Sequence, residues 1–101
     1  MLEEKLPVEV EEVLKDAQHT NDTKNGTKKT KHYKRKGELP MAHEDYGRTK
    51  AAKLREITDG EVGVLPDGQR VIVRKESDQG DPTLEIQLNN GHKIKIRYSL
   101  H

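Results

Sequence analysis

Two turn signals constrain this chain more than anything else in it. Asp67-Gly68 stands between EVGVLP (61–66) and RVIVRKE (70–76), and Asn89-Asn90-Gly91 stands between PTLEIQL (82–88) and HKIKIRY (92–98). Such dipeptides between β-branched runs mark hairpins, because glycine reaches the positive φ that tight turns need without a steric cost. Two hairpins joined by the polar loop SDQGD (77–81) predict a four-stranded antiparallel meander. In its last two strands Leu84, Ile86, Leu88, Ile94, Ile96 and Tyr98 alternate with Thr83, Glu85, Gln87, Lys93, Lys95 and Arg97. One face is therefore expected to be packed and the other wet. Ile72 breaks the pattern, sharing its parity with Arg70 and Arg74.

The packed face needs a cover, and the apolar residues that can supply it are few. Only 30% of the 101 residues are hydrophobic and 37% are charged, so the core must be concentrated. Leu6, Val10, Val13, Leu14 and Ala17 recur at helical spacing, which predicts an amphipathic helix over residues 7–18 with an acidic outer face. Residues 19–30 (HTNDTKNGTKKT) offer nothing to bury and read as a flexible linker. Beyond it, Pro40 and Gly47 bracket one short helix, and Thr49 and Asp59-Gly60 bracket a second. The expected fold is α+β: N-terminal short helices packed on a four-stranded antiparallel β-meander. Residues 1–26 form an acidic helix and linker in this reading, and residues 27–101 form the functional domain.

Cysteine is absent, which excludes disulfides and thiolate metal sites. No apolar run is long enough to span a membrane, and the N-terminus lacks the order of a signal peptide. The net charge of +1 conceals strong segregation. Residues 1–16 carry six acids against two lysines, whereas Lys24, Lys28, Lys29, Lys31, Lys34, Arg35 and Lys36 follow with no acid among them. That asymmetry points to a polyanionic partner. Phe and Trp are both missing, which disfavours a base-stacking platform.

No phosphate-binding glycine loop, zinc motif, calcium loop or serine-hydrolase elbow occurs, and the five histidines are widely separated. What remains is the polar sheet face. Its cations and Glu85 have two readings: a solvated surface of cross-strand ion pairs, or a phosphate-holding surface. In the second, Arg74, Lys95 and Arg97 hold the phosphate and stabilise the charge that builds on phosphorus. Glu85 is then the candidate general base towards a ribose 2′-hydroxyl, and His32 or His43 the candidate general acid. Neither a metal nor a cofactor is implied.

The stretches TKHYKRKG (30–37), GEVGVLPDGQRVIVRKESDQGDPTLEIQ (60–87) and NGHKIKIRY (90–98) resemble the C-terminal toxin domains of bacterial polymorphic toxins, of contact-dependent inhibition and Rhs type. Those domains resemble in turn the metal-independent ribonucleases that group barnase, EndoU, the nuclease colicins and RelE. The resemblance implies an endoribonuclease toxin that cleaves tRNA, is exported as the tip of a larger effector and acts in a target cell's cytoplasm. It also implies a cognate immunity protein and, for some members, a host translation elongation factor. Carried over by position, the site comprises Lys31, Tyr33, Arg74, Ser77, Thr83, Glu85 and Arg97, with Ser77 and Thr83 positioning the RNA backbone. Lys34, Arg35, Lys93 and Lys95 join Lys31 and Tyr33 as RNA-binding residues. The chain departs from the family pattern at Lys75, where proline is usual, and at Asp81, which makes that loop more acidic. A non-catalytic RNA- or protein-binding module on the same basic face is the rival from another class, and a deoxyribonuclease toxin is a third.

Overall fold

The computed structural model describes residues 6–76 and 80–100. Helix α1 (Val8–Lys15) leads into strands β1 (Gln18–Asn25) and β2 (Lys28–Lys36). Helix α2 (Leu39–Arg48) follows, then β3 (Ala52–Ile57), β4 (Gly60–Val64), β5 (Arg70–Arg74), β6 (Thr83–Gln87) and β7 (Lys93–Ser99). The strands make one seven-stranded sheet in the order β1-β2-β7-β6-β5-β4-β3. Neighbours are antiparallel except β2 and β7, which run parallel. The four-stranded meander is therefore corrected to a seven-stranded mixed sheet, with a hairpin standing between the two helices.

The two predicted hairpins are present as β4–β5 and β6–β7, with Gly68 and Gly91 both at φ near 90°. Leu84, Ile86, Leu88, Ile94, Ile96 and Tyr98 face the helices and join Val10, Val13, Ala42, Val71 and Val73 in one core. Ile72 lies on the opposite face, paired with Val62 and set beside Glu85 as a small buried apolar patch. Pro40 opens α2 as expected.

Two expectations fail, for separate reasons. Residues 19–30 are not a linker but most of a hairpin, turning at Gly26 with φ 67°. Its strands gain little from burial, since β1 is exposed throughout, and depend instead on the main-chain ladder that β2 makes with β7. Thr49 does not start a second helix. Its hydroxyl donates to the Tyr46 carbonyl (2.6 Å) at the end of α2, and Lys50 takes φ 59° to reverse the chain into β3. A lone helix this short is marginal in water, whereas the open edge of β4 offers backbone partners at once.

At the β3–β4 turn, a Cβ on Gly60 would run into the backbone oxygen of Val73. The neighbour is main chain in mid-sheet and cannot yield cheaply. Gly60→Ala is expected to lower stability by about 3 kcal/mol, read as a shift in the urea midpoint at unchanged slope.

Candidate functional site

Both helices lie on one side of the sheet, which leaves the other side without helical cover. Register fixes what that side presents. One rung runs Arg74–Thr83–Arg97–Lys34, the next Ile72–Glu85–Lys95–His32, and the third Arg70–Gln87–Lys93–Thr30. Lysine and arginine thus line β7 at every second position, between the polar faces of β6 and β2.

Among the described residues, Arg74 alone of this face's cations has an acidic partner. Arg74 Nη1 donates to Glu85 Oε1 (3.2 Å), and Gln87 Nε2 donates to Glu85 Oε2 (2.8 Å). Glu85 is 6% exposed and makes no ion pair with Lys95, its partner in the ladder. Lys34, Lys93, Lys95 and Arg97 make no ion pair among the described residues, although Asp81 lines the same hollow as Lys34, Lys95 and Arg97. Of the expected cross-strand ion pairs on this face, Arg74–Glu85 forms and none forms to β7.

Two polar groups at the centre of this surface are buried. Thr83 is fully buried and its hydroxyl has no hydrogen-bond partner, and the same holds for Arg97 Nε beside it in the register. A buried donor left unpaired costs about 1–3 kcal/mol, so each such group calls for an explanation. Next to them a hollow of about 540 Å³ opens between β1, β2, β7 and the loop at Asp81. His32, Lys34, Lys95 and Arg97 line it, with Asn21 and Thr23 on the β1 side. Thr23 Oγ1 sits 2.9 Å from His32 Nε2, which fixes the ring and leaves Nδ1 free of that contact. Desolvation, then the charges of Lys95 and Arg97, hold the His32 imidazolium below its usual pKa.

Several residues expected at the site lie elsewhere. Lys31, Tyr33 and Arg35 share a face with Ile94, Ile96 and Tyr98, the helix side. Tyr33 borders the hollow, but its ring packs at 57° on His19 with centroids 5.2 Å apart. Lys31 lies near Asp22, whose carboxyl is held below its usual range chiefly by a hydrogen bond with His19. Arg35 is locked into structure: Nε donates to Asp45 Oδ2 (2.8 Å) and Nη1 to the Asp16 carbonyl (3.2 Å). His43 is on α2, across the sheet from the cationic rungs. Ser77 lies outside the described residues.

Sequence reasoning missed Thr23, Asn21 and Asp45. The first two belong to β1, and the signals that would have revealed that strand are the Asn25-Gly26 turn and the recurrence of threonine at 20, 23, 27 and 30. Among the described residues no group of three or more His, Asp or Glu is placed to hold a metal ion, and no helix is long and apolar enough to cross a membrane. Comparison with protein-family models, curated proteins and solved structures returned no match to this chain.

Proposed function

We propose that this chain is a metal-independent endoribonuclease that cuts on the open sheet face. The observation that carries the reading is the cluster of Lys34, Lys95 and Arg97, none of them ion-paired, around an unpaired buried Thr83 hydroxyl, flanked by Glu85 and His32. Such a cluster is unfavourable in the free protein and becomes favourable once an oxyanion occupies it.

The chemistry follows from the two central rungs. Glu85 and His32 stand two strand spacings apart, roughly 10 Å between backbones, on either side of Lys95. A phosphodiester over Lys95 and Arg97 therefore has a carboxylate on one flank and an imidazole on the other. Glu85 takes the proton of the 2′-hydroxyl, whose oxygen attacks the adjacent phosphorus. His32 protonates the departing 5′-oxygen. Lys95 and Arg97 stabilise the charge gathered on the phosphoryl oxygens. The products are a 2′,3′-cyclic phosphate and a 5′-hydroxyl.

The narrower reading rests on the sequence resemblance alone. In it, the enzyme is a polymorphic-toxin domain that cleaves tRNA in a rival bacterium and is neutralised by an immunity protein. Purified protein is expected to degrade tRNA within total RNA in the presence of EDTA. Intact tRNA and rRNA, with or without an added translation factor, would sink the proposal.

The pH profile carries a sign. As the acid, His32 must be protonated, and its pKa in the free protein is depressed. The alkaline limb of kcat/KM is therefore expected to fall below pH ~6.5, the ordinary histidine value. Lys95→Ala removes a repelling charge and is expected to move that limb upward, as well as lowering its height. A limb that stays put in Lys95→Ala would show that His32 is not the titrating group.

A further inference from the structure

We infer that β7 is a phosphate ladder along which the RNA strand lies lengthwise, and that Lys93 forms a subsite for the phosphate next to the one being cut. The inference rests on the ribonuclease reading and names how that site takes its substrate. Lys93, Lys95 and Arg97 occupy alternate positions of one strand and point to one side. Their spacing is roughly 6.7 Å, close to that of successive phosphates in an extended strand. In the register the neighbours are Gln87 and Thr30 at Lys93, Glu85 and His32 at Lys95, and Thr83 and Lys34 at Arg97. Lys93 is exposed and lacks an acidic partner among the described residues, so nothing there competes with a phosphate.

At the Lys93 rung, between Gln87 and Thr30, the face carries no ring on which a base could stack. No tyrosine reaches that rung. Tyr98 is buried with its hydroxyl donating to Asp45, Tyr46 packs at Gly63 beneath α2, and Tyr33 leans on His19. Recognition along β7 is thus by phosphate charge, so the substrate is defined by backbone length and not by base identity at the Lys93 subsite.

The test compares oligoribonucleotides holding one, two or three internucleotide phosphates, each in U-rich and A-rich versions. With wild type, kcat/KM is expected to rise about fivefold when the phosphate for Lys93 is added, the upper range for an exposed charge pair. Lys93→Ala should abolish that rise, and base identity there should matter little. A length dependence retained in Lys93→Ala, or a loss equal for all lengths, overturns the ladder. If no oligonucleotide is cut, the ribonuclease reading fails by itself, and the ladder is judged on 2′-O-methyl oligonucleotides. Their affinity should still show the length step, with a log–log salt slope shallower by about 0.7 in Lys93→Ala. Equal slopes for the two proteins would overturn it.

Discussion

Arg97→Ala is expected to lower kcat/KM on tRNA by about 10²–10³-fold, the loss typical of removing one preorganised donor to a transition-state oxyanion, and to leave the protein at least as stable as wild type. The second half of that expectation separates a catalytic arginine from a structural one. Arg97 Nε is buried without a partner, and Arg97 shares its hollow with Lys95, Lys34 and His32; Asp81 lines the same hollow but makes no ion pair with it. In the free protein, therefore, Arg97 contributes repulsion and an unmade hydrogen bond. Removing it relieves both, the usual relation between a binding site and the stability of its scaffold. Urea unfolding of Arg97→Ala alongside its kinetics checks the pair. A variant that loses activity and also loses stability would mean that Arg97 holds the sheet together and that its kinetic effect is indirect.

Asp45→Ala is expected to do the opposite, costing about 3–5 kcal/mol of stability, the range for breaking a buried ion pair from one side. Asp45 is fully buried, and three groups converge on it. Arg35 Nε (2.8 Å) and Tyr98 Oη (2.8 Å) donate to Oδ2, and Arg48 Nη1 (3.0 Å) donates to Oδ1. Burial and the Asp45 charge push the Tyr98 phenol far above its ordinary range, so it remains a donor at any working pH. Through Arg48 the network also reaches the Glu12 carbonyl (3.1 Å) and the Asp16 carboxylate (3.0 Å). One carboxylate thus ties α1, β2, α2 and β7 together. Its loss strands the half-buried Arg35 guanidinium, which has only a main-chain carbonyl and Met41 Sδ left to bond, whereas Arg48 keeps Asp16. The midpoint of urea unfolding should fall sharply. A drop under about 1 kcal/mol, the range of an exposed pair, would mean that water replaces Asp45 with little loss.

These two residues also mark how far the sequence could be read. Arg97 was legible because a half-buried strand writes its faces into alternation, and KIKIRY carries that alternation without a break. Asp45 was not legible, because its neighbours on α2 are ordinary helix residues and two of its three partners come from distant strands, β2 and β7. The β1–β2 hairpin was hidden for a different reason. β1 buries nothing and β2 is half-buried through polar and basic side chains, so they leave no apolar period to detect, and composition alone gives a linker. That error carried into the site: with residues 28–36 taken as a basic loop, Lys31, Tyr33 and Arg35 looked equivalent to His32 and Lys34. Once the segment is a strand, parity divides them, and only His32 and Lys34 reach the open face. The second predicted helix failed because spacing at Ala51, Ala52, Leu54 and Ile57 fits a helix, while the unpaired edge of β4 decides for a strand.

The central claim is that the cationic face breaks RNA by attack of its own 2′-hydroxyl. End-group analysis of tRNA incubated with the purified protein in EDTA tests it most directly. The expected result is fragments ending in 2′,3′-cyclic phosphate and beginning with 5′-hydroxyl, absent when Arg97→Ala replaces wild type. Uncut tRNA that binds tightly, with affinity falling steeply as salt rises, would contradict the enzyme and make this face a binding surface only.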